Sequence, residues 1–165
     1  MATHDAVLDN WINDAIATQI PERQMSLSLD DAELLAKLVR EAATACHVPV
    51  VFSLADACGH QRFFFSMDHA LLVSHTLAPQ KAWTAVALKM ATHELARRVQ
   101  PGGELYGLDK EKGICCFGGG FPCWSGGRLL GGIGVSGGSV EDDMRIARQA
   151  MARFSALRFP LAITC

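Results

Sequence analysis

Three glycines in the stretch "GGIGVSGGSVEDD" have the spacing of a nucleotide-binding site. Gly132, Gly134 and Gly137 match G-x-G-x-x-G, which brings the backbone close to a pyrophosphate at the N-terminus of a helix. The motif follows a predicted strand and precedes a predicted helix, as dinucleotide binding requires. The spacing therefore raises nucleotide binding as a hypothesis, which the flanking residues must support.

The residues after these glycines contradict that hypothesis. A dinucleotide site needs a carboxylate about 20 residues beyond the glycines and a further parallel strand. Segment 155–160 reads "SALRFP" and has no carboxylate, and the three acidic residues at 141–143 would repel a pyrophosphate. We therefore predict that glycines 131–134 allow a close backbone approach or a bulge in a sheet, and that glycines 137–138 form the turn into the helix.

Asp68, Lys81 and the histidines have side chains of the types that ligand binding or acid–base chemistry uses. Lys81 and Thr84 lie about one turn apart on a predicted helix, so they share a face. With Asp68 they are predicted to line a small ligand-binding pocket, together with the backbone of Gly118, Gly119 and Gly120. There Lys81 would pair with a ligand carboxylate. The alternatives are an ion pair of Lys81 with Asp56 or Asp68, and a helix-packing role for Thr84.

No nucleophile, general base and orienting group occur together in these segments. Without that arrangement, the residues favour ligand binding over catalysis, and we assign no catalytic residue. The alternative is an enzyme in which Asp68, Lys81 and a histidine perform acid–base chemistry on a small metabolite.

Composition limits the classes of protein to which this chain can belong. Its 165 residues, half of them hydrophobic, are enough for one compact domain with a core. Fifteen basic and seventeen acidic residues give a net charge of −2 without a basic run, so we expect no nucleic-acid partner. We see no secretory leader and no apolar run of about 18 residues, so we expect no membrane association and a cytoplasmic location.

The six cysteines are predicted to be reduced, because no export signal accompanies them. Cys115 and Cys116 are adjacent, Cys123 lies seven residues further on, and no C-x-x-C occurs, which argues against a structural zinc site. We expect Cys165 to be an exposed thiol and the other five to be small core residues.

Hydrophobic spacing and capping signals predict the helices that would position these residues. Helices are predicted from Ser28 to about His47, from Pro79 to about residue 99, and from Ser139 onward. Ser28 and Ser139 each have an aspartate three residues later, which is the spacing of a capping box.

Five strands are predicted from alternating apolar residues. "VPVVFSLAD" and "HQRFFFSM" form one hairpin, and "GGGFPCW" and "RLLGGIGV" form another that turns at two glycines. "GICCF" is predicted as a short strand between them. Because tight hairpins impose antiparallel pairing, the predicted fold class is α+β, with a five-stranded antiparallel sheet covered by helices.

The N-terminal segment is predicted to be separate from this domain. Residues 1–20 carry apolar residues at helical spacing, Trp11 among them, with mostly Asp and Asn on the other face. Residues 21–27, which begin with a helix-breaking proline, are predicted to be a linker, and residues 28–165 form the main domain. Such a helix either docks on a partner or packs on its own domain or a sister subunit.

Four stretches of the main domain occur in an order typical of one protein family. They are "PVVFSLADACGH", "QKAWTA", "FGGGFP" and "GIGVSGG". With Met67 before Asp68, they resemble the GlcG/HbpS-like haem-binding family, and most closely the C-terminal domain of PduO-type microcompartment proteins. The resemblance covers about residues 28–155, and the order and spacing of the motifs make it specific.

This resemblance implies a profilin-like α/β/α sandwich that forms homo-oligomers and binds haem or a related tetrapyrrole, with no well-defined catalysed reaction. PduO-type members are linked to bacterial microcompartments that use propanediol or similar diol-type substrates with cobalamin. The adenosyltransferase activity of PduO belongs to another domain, so we do not expect it here. A structural compartment component without a ligand is a further alternative.

If haem is the cofactor, its axial ligand would come from His4, His47, His60, His69, His75 or His93. His69 is the first candidate metal ligand, because it follows Asp68 in a predicted loop beside apolar residues, and His47 is the second. Lys81 would pair with a haem propionate. The family usually has an arginine where Ser66 stands and a small residue where His69 stands. The family's ligand contacts at these two positions are therefore not carried over to this chain.

The resemblance also suggests a role for the N-terminal helix. Short amphipathic helices on linkers target enzymes into microcompartments by docking an apolar face on a shell or cargo protein. Residues 1–20 are therefore hypothesised to direct encapsulation, which would place this cytoplasmic protein inside a compartment.

Overall fold

The computed structural model describes residues 26–158, and its first helix begins where the capping box predicts. Helix α1, Leu29–Ala45, follows Ser28, whose Oγ accepts a hydrogen bond from the amide of Asp31 at 3.0 Å. The carboxylate of Asp31 accepts one from the amide of Ser28 at 2.9 Å. The helix ends before His47, which is left-handed at φ +55° and leads into the first strand. Both predicted bounds are confirmed.

Four strands form one antiparallel sheet. They are β1 (Val51–Asp56), β2 (Gln61–Ser66), β3 (Gly120–Ser125) and β4 (Arg128–Ser136), in the order β2-β1-β4-β3. Both predicted hairpins, β1–β2 and β3–β4, are confirmed. β1 and β4 are the central strands, so they carry most of the buried side chains.

The prediction of a fifth strand at "GICCF" is wrong. Within residues 26–158, this segment pairs with no strand, because its backbone groups bond elsewhere. The amide of Cys115 donates to Thr84 Oγ1 at 3.0 Å, and Thr84 Oγ1 donates to the carbonyl of Gly113 at 3.4 Å. The segment is therefore a loop held against a helix by one hydroxyl group.

The prediction of one long helix from Pro79 to about residue 99 is also wrong. Two helices take its place: α2, Ser74–Leu88, with the proline inside it, and α3, Thr92–Arg98. Lys89 ends α2 in a left-handed conformation at φ +53°. Hydrophobic spacing did not reveal the break, because apolar residues such as Leu95 are buried beyond it as well.

Helices cover both faces of the sheet. α2 packs on one face, while α1 and α4 (Val140–Arg158) pack on the other face and on each other. Phe52 and Leu54 of β1 join the core beneath α1 and α4, whereas Ala55 packs against Ala82 of α2. This antiparallel sheet between two helical layers confirms the α+β class and the layer order α/β/α.

The glycines of the G-x-G-x-x-G motif lie in β4 and in the turn that follows it. A Cβ at Gly134 would overlap the carbonyl oxygen of Ala78 in α2. A Cβ at Gly132 would lie 2.8 Å from Val86 Cγ2, which is closer than real Cβ atoms approach. The missing side chains let α2 rest directly on the strand, so the predicted close backbone approach is confirmed.

The cysteines are only partly where the sequence places them. Cys115 and Cys123 are buried, and Cys46 and Cys116 are half-buried. Cys58 is exposed in the tight turn between β1 and β2, so its assignment to the core is wrong.

Residues 1–25 and 159–165 lie outside the described residues. The predicted N-terminal helix 1–20, most of the linker, His4 and Cys165 therefore fall outside them too. Within residues 26–158, no helix combines the length and the apolar character needed to cross a bilayer.

Candidate functional site

Lys81 lies in α2 and is only 1% exposed. A buried ammonium group needs a counter-charge and hydrogen-bond acceptors. Its Nζ donates to Asp143 Oδ2 at 2.8 Å and to the carbonyl oxygen of Val135 at 2.9 Å. The predicted alternatives, Asp56 and Asp68, are wrong as ion-pair partners, because the ammonium group lies between α2, β4 and α4.

Asp143 connects the first turn of α4 to the turn that the glycine motif forms. Its Oδ1 accepts hydrogen bonds from the amides of Gly137 at 3.0 Å and Gly138 at 2.9 Å, while Oδ2 meets Lys81. Burial raises the pKa of Asp143, and the charge of Lys81 and these hydrogen bonds oppose the rise. The carboxylate therefore joins three elements at one end of the sheet.

The predicted glycine backbone lies near this ion pair. A Cβ at Gly119 would be 3.0 Å from the ammonium nitrogen of Lys81. A Cβ at Gly118 would be 2.9 Å from Val140 Cγ1, and the amide of Gly120 donates to Thr92 Oγ1 at 2.9 Å. The structure thus brings Lys81 and the three predicted glycines together.

Thr84 and Asp68 are placed away from the Lys81–Asp143 pair. Thr84 is fully buried, and its hydroxyl group holds the loop at 113–115, which is the helix-packing role. Asp68 is exposed and follows β2. The single polar pocket expected from the sequence is therefore divided between two places.

A cavity of about 210 Å³ opens beside the Lys81–Asp143 pair, and we call it the Lys81 cavity. Ser74 and Ser136 contribute two hydroxyl groups, whose oxygens are 3.1 Å apart. The apolar part of its wall comes from Leu71, Val73, Leu77, Phe117 and Val140. The cavity therefore has a polar floor that is deeply buried and an apolar mouth.

A second cavity, of about 620 Å³, lies between α1 and β2, and we call it the α1–β2 groove. Phe63, Phe65 and Met67 form its apolar wall, together with Ala36. The first three side chains are partly buried because they also pack against the core. This wall can hold a broad apolar ligand.

The rim of the α1–β2 groove is charged. Lys37 and Arg40 lie on the exposed side of α1, and within residues 26–158 neither side chain forms an ion pair. Glu33 and Asp68 also line the groove. The two cations can bind the carboxylates of a ligand that rests on the apolar wall.

The two candidate metal ligands lie in different surroundings. His69 directly follows Asp68 at the end of the groove, is exposed, and has φ +67°. His47 is exposed at the end of α1 and lines neither cavity. Across residues 26–158, no group of three or more His, Cys, Asp or Glu side chains is arranged to hold a metal ion.

The thiols of Cys115, Cys116 and Cys123 are not activated nucleophiles. Burial raises the pKa of Cys123 to about 12, and it also raises the pKa of Cys115 and of Cys116. All three thiols are therefore protonated near neutral pH, and the protonated form is a poor nucleophile.

The sequence prediction does not include Asp143 or most of the groove. A pattern that indicates the groove is present, because Lys37 and Arg40 lie three residues apart on one face of a helix. Phe63 and Phe65 likewise lie on one face of a strand. For Asp143 no local signal existed, since it lies 62 residues from Lys81 and is one of three acidic residues in a helix start.

Residues 27–152 match the family model described as "Haem degrading protein HbpS-like". The chain belongs to this HbpS-like family. The match confirms the resemblance found in the motifs, and it contains all the residues that line the α1–β2 groove and the Lys81 cavity.

The relatives of this HbpS-like chain include a longer protein. It is 52% identical over 133 residues to the corrinoid adenosyltransferase PduO of Citrobacter freundii, which covers 79% of this chain and 40% of PduO. The chain thus spans about two fifths of the length of that relative. PduOC in complex with haem has a TM-score of 0.75 at 51% identity, covering 77% of this chain and 94% of PduOC. A double mutant of HbpS from Streptomyces reticuli has a TM-score of 0.72 at 31% identity, covering 78% of this chain and 86% of that chain.

Proposed function

We propose that this HbpS-like protein binds haem, or a related tetrapyrrole, in the α1–β2 groove. The observation that carries the proposal is a broad apolar wall with two cations, Lys37 and Arg40, on its rim. Haem is a flat apolar ring with two propionates, so it needs both features together. The Lys81 cavity has only about a third of the volume of the groove. The haem complex of PduOC supports the same class of ligand.

The groove supplies residues for each part of the ligand. Phe63 and Phe65 would contact the ring, and Lys37 and Arg40 would bind the propionates. Met67 lies in the wall, and a thioether is a known axial ligand of haem iron; His69, two residues further on, is the candidate imidazole ligand. When bound, haem supplies an iron centre whose potential its axial ligands and surroundings tune.

The biological part of the proposal is an accessory role in a bacterial microcompartment for diol-type substrates. The similarity to PduO supports this role. The protein would act as a homo-oligomer, with residues 28–165 as the haem-binding domain, residues 21–27 as a linker, and residues 1–20 contacting a shell or cargo protein. An enzyme acting on a small metabolite and a structural component without a ligand are the alternatives.

Titration of the full chain with haemin tests this proposal. We expect a saturable change in the Soret band at one haem per chain. Replacing Lys37 and Arg40 together with glutamine should weaken binding about tenfold, because charge-assisted hydrogen bonds to the propionates are lost. Arg145→Gln, which changes an exposed arginine of α4, is the matched control and should leave the affinity unchanged.

The axial ligand is tested by the shape of the spectrum. Either His69→Asn or Met67→Leu should shift the Soret band, whereas His47→Asn should not; asparagine tolerates the positive φ of both histidines. A titration without saturation would contradict haem binding. If none of the groove variants changes the affinity or the Soret band, haem binds elsewhere on the protein.

A further inference from the structure

The Lys81 cavity shares no lining residue with the α1–β2 groove, so it is a separate site. We propose that it binds a small neutral carbonyl compound with a short alkyl chain. The inference is independent of haem binding, because it rests only on the hydrogen-bonding groups, charges and size of this cavity.

Two hydrogen-bond donors in the cavity lack acceptors. An ammonium group has three N–H donors, and within residues 26–158 that of Lys81 finds two acceptors, on Val135 and Asp143. The hydroxyl groups of Ser74 and Ser136 share one hydrogen bond, so one O–H hydrogen remains whichever of them donates. Lys81 and the two serines are at most 3% exposed, which makes an unmet donor costly there.

The charges of the cavity favour a neutral ligand. Asp143 already balances Lys81, so the pair is neutral as a whole. Both oxygens of Asp143 already accept hydrogen bonds, and an anion would lie beside this carboxylate and near the acidic first turn of α4. A cation would lie beside Lys81. A carbonyl oxygen carries no net charge, accepts two hydrogen bonds and donates none, which matches the two spare donors.

The size and the mouth of the cavity describe the rest of the ligand. A volume of about 210 Å³ corresponds to about seven water molecules at roughly 30 Å³ each, so it holds only a few heavy atoms. Leu71, Phe117 and Val140 are exposed apolar residues of the lining, and an alkyl chain would contact them. A short-chain ketone or aldehyde has this combination of one acceptor oxygen, no donor and a small apolar tail.

The test is an NMR titration of the full chain, labelled with ¹⁵N, with 2-butanone. The amide resonances of Gly137 and Gly138 should shift saturably, because both line the cavity. Butyrate, the anion of similar size, should bind at least tenfold more weakly. Preference for butyrate would overturn the assignment to neutral ligands, and the absence of saturable shifts with 2-butanone would overturn the site.

Variants locate the binding in the cavity. Val140→Phe should abolish the shifts by filling the mouth, and since Val140 is 39% exposed we expect the fold to accept the larger side chain. Leu157→Phe, on the exposed side of the same helix, is the matched control. Replacing Ser74 and Ser136 together with alanine should weaken binding about fivefold, since no spare O–H donor then remains in the cavity. Shifts that persist in Val140→Phe would place the ligand elsewhere.

Discussion

Lys81 is a buried charged residue whose surroundings the sequence predicts only in part. The spacing of "QKAWTA" and "FGGGFP" correctly places Lys81 near the three glycines. Its partner Asp143 comes from a helix start in which acidic residues are expected for electrostatic reasons alone. The identity of the pair depends on tertiary packing, because 62 residues separate the two charges.

His93 is a second residue whose state depends on its surroundings. Its Nε2 lies 3.4 Å from the guanidinium of Arg148, which can only donate, so Nε2 accepts and Nδ1 carries the hydrogen. Within residues 26–158, Nδ1 is buried without a hydrogen-bond partner. Burial lowers the pKa of His93, the charges of Arg148 and Arg97 lower it further, and Glu94 opposes them. The folded state therefore favours neutral imidazole.

This state predicts a pH dependence of stability. Below the ordinary imidazole pKa of about 6.5, the unfolded chain binds a proton at residue 93 before the folded protein does. The free energy of unfolding should therefore fall as the pH falls from 7 towards 5. In thermal melts across this range, the Tm of His93→Gln should fall less with decreasing pH than the Tm of the natural sequence. His47→Asn is the control; if it reduces the pH dependence of Tm equally, His93 is not the cause.

At the scale of elements, local signals and tertiary contacts differ in how well the sequence reveals them. Ser28 and Ser139 each accept a hydrogen bond from the amide of an aspartate three residues later, and both helix starts are confirmed. The segment "GICCF" has the composition of a strand, but the distant hydroxyl of Thr84 satisfies its backbone. Periodicity also missed the break after α2, because one left-handed residue changes the chain direction without changing the hydrophobic spacing.

The left-handed conformation of Lys89 predicts a stabilising substitution. A side chain at φ +53° costs about 1–2 kcal/mol, and glycine avoids this strain at some entropic cost. Lys89→Gly should therefore raise the free energy of unfolding by about 0.5–1 kcal/mol, which corresponds to about 2 °C in Tm. Lys89→Ala keeps the strain and should give no gain. Equal Tm values for both variants would show that the backbone at residue 89 is not strained.

At the scale of the whole molecule, the motifs predicted the layers better than the number of strands. The order of hairpins and helices was enough to predict an antiparallel sheet with helices on its faces, as observed. The division of polar groups between the α1–β2 groove and the Lys81 cavity was not predictable, since it depends on which face of the sheet each helix covers. Residues 68 and 81 are close in sequence, yet they line different cavities.

The proposed role of the N-terminal segment predicts the location of a fused protein. Residues 1–20 joined to a fluorescent reporter should form puncta in cells that make a microcompartment, because the predicted apolar face would dock on a shell or cargo protein. Replacing Trp11 and Ile12 with aspartate would place two charges in the predicted apolar stripe and should make the reporter diffuse. A natural-sequence fusion that stays diffuse would contradict the encapsulation hypothesis.

The Lys81–Asp143 pair also couples the stability of the two sides of the sheet. The acceptors of the ammonium group lie 54 and 62 residues further along the chain, on β4 and α4. Removing one partner would leave the other charge buried and unpaired, at a cost of several kcal/mol. Asp143 belongs to α4, which covers the opposite face of the sheet from α2. One ion pair thus makes the packing of each helical layer depend on the other.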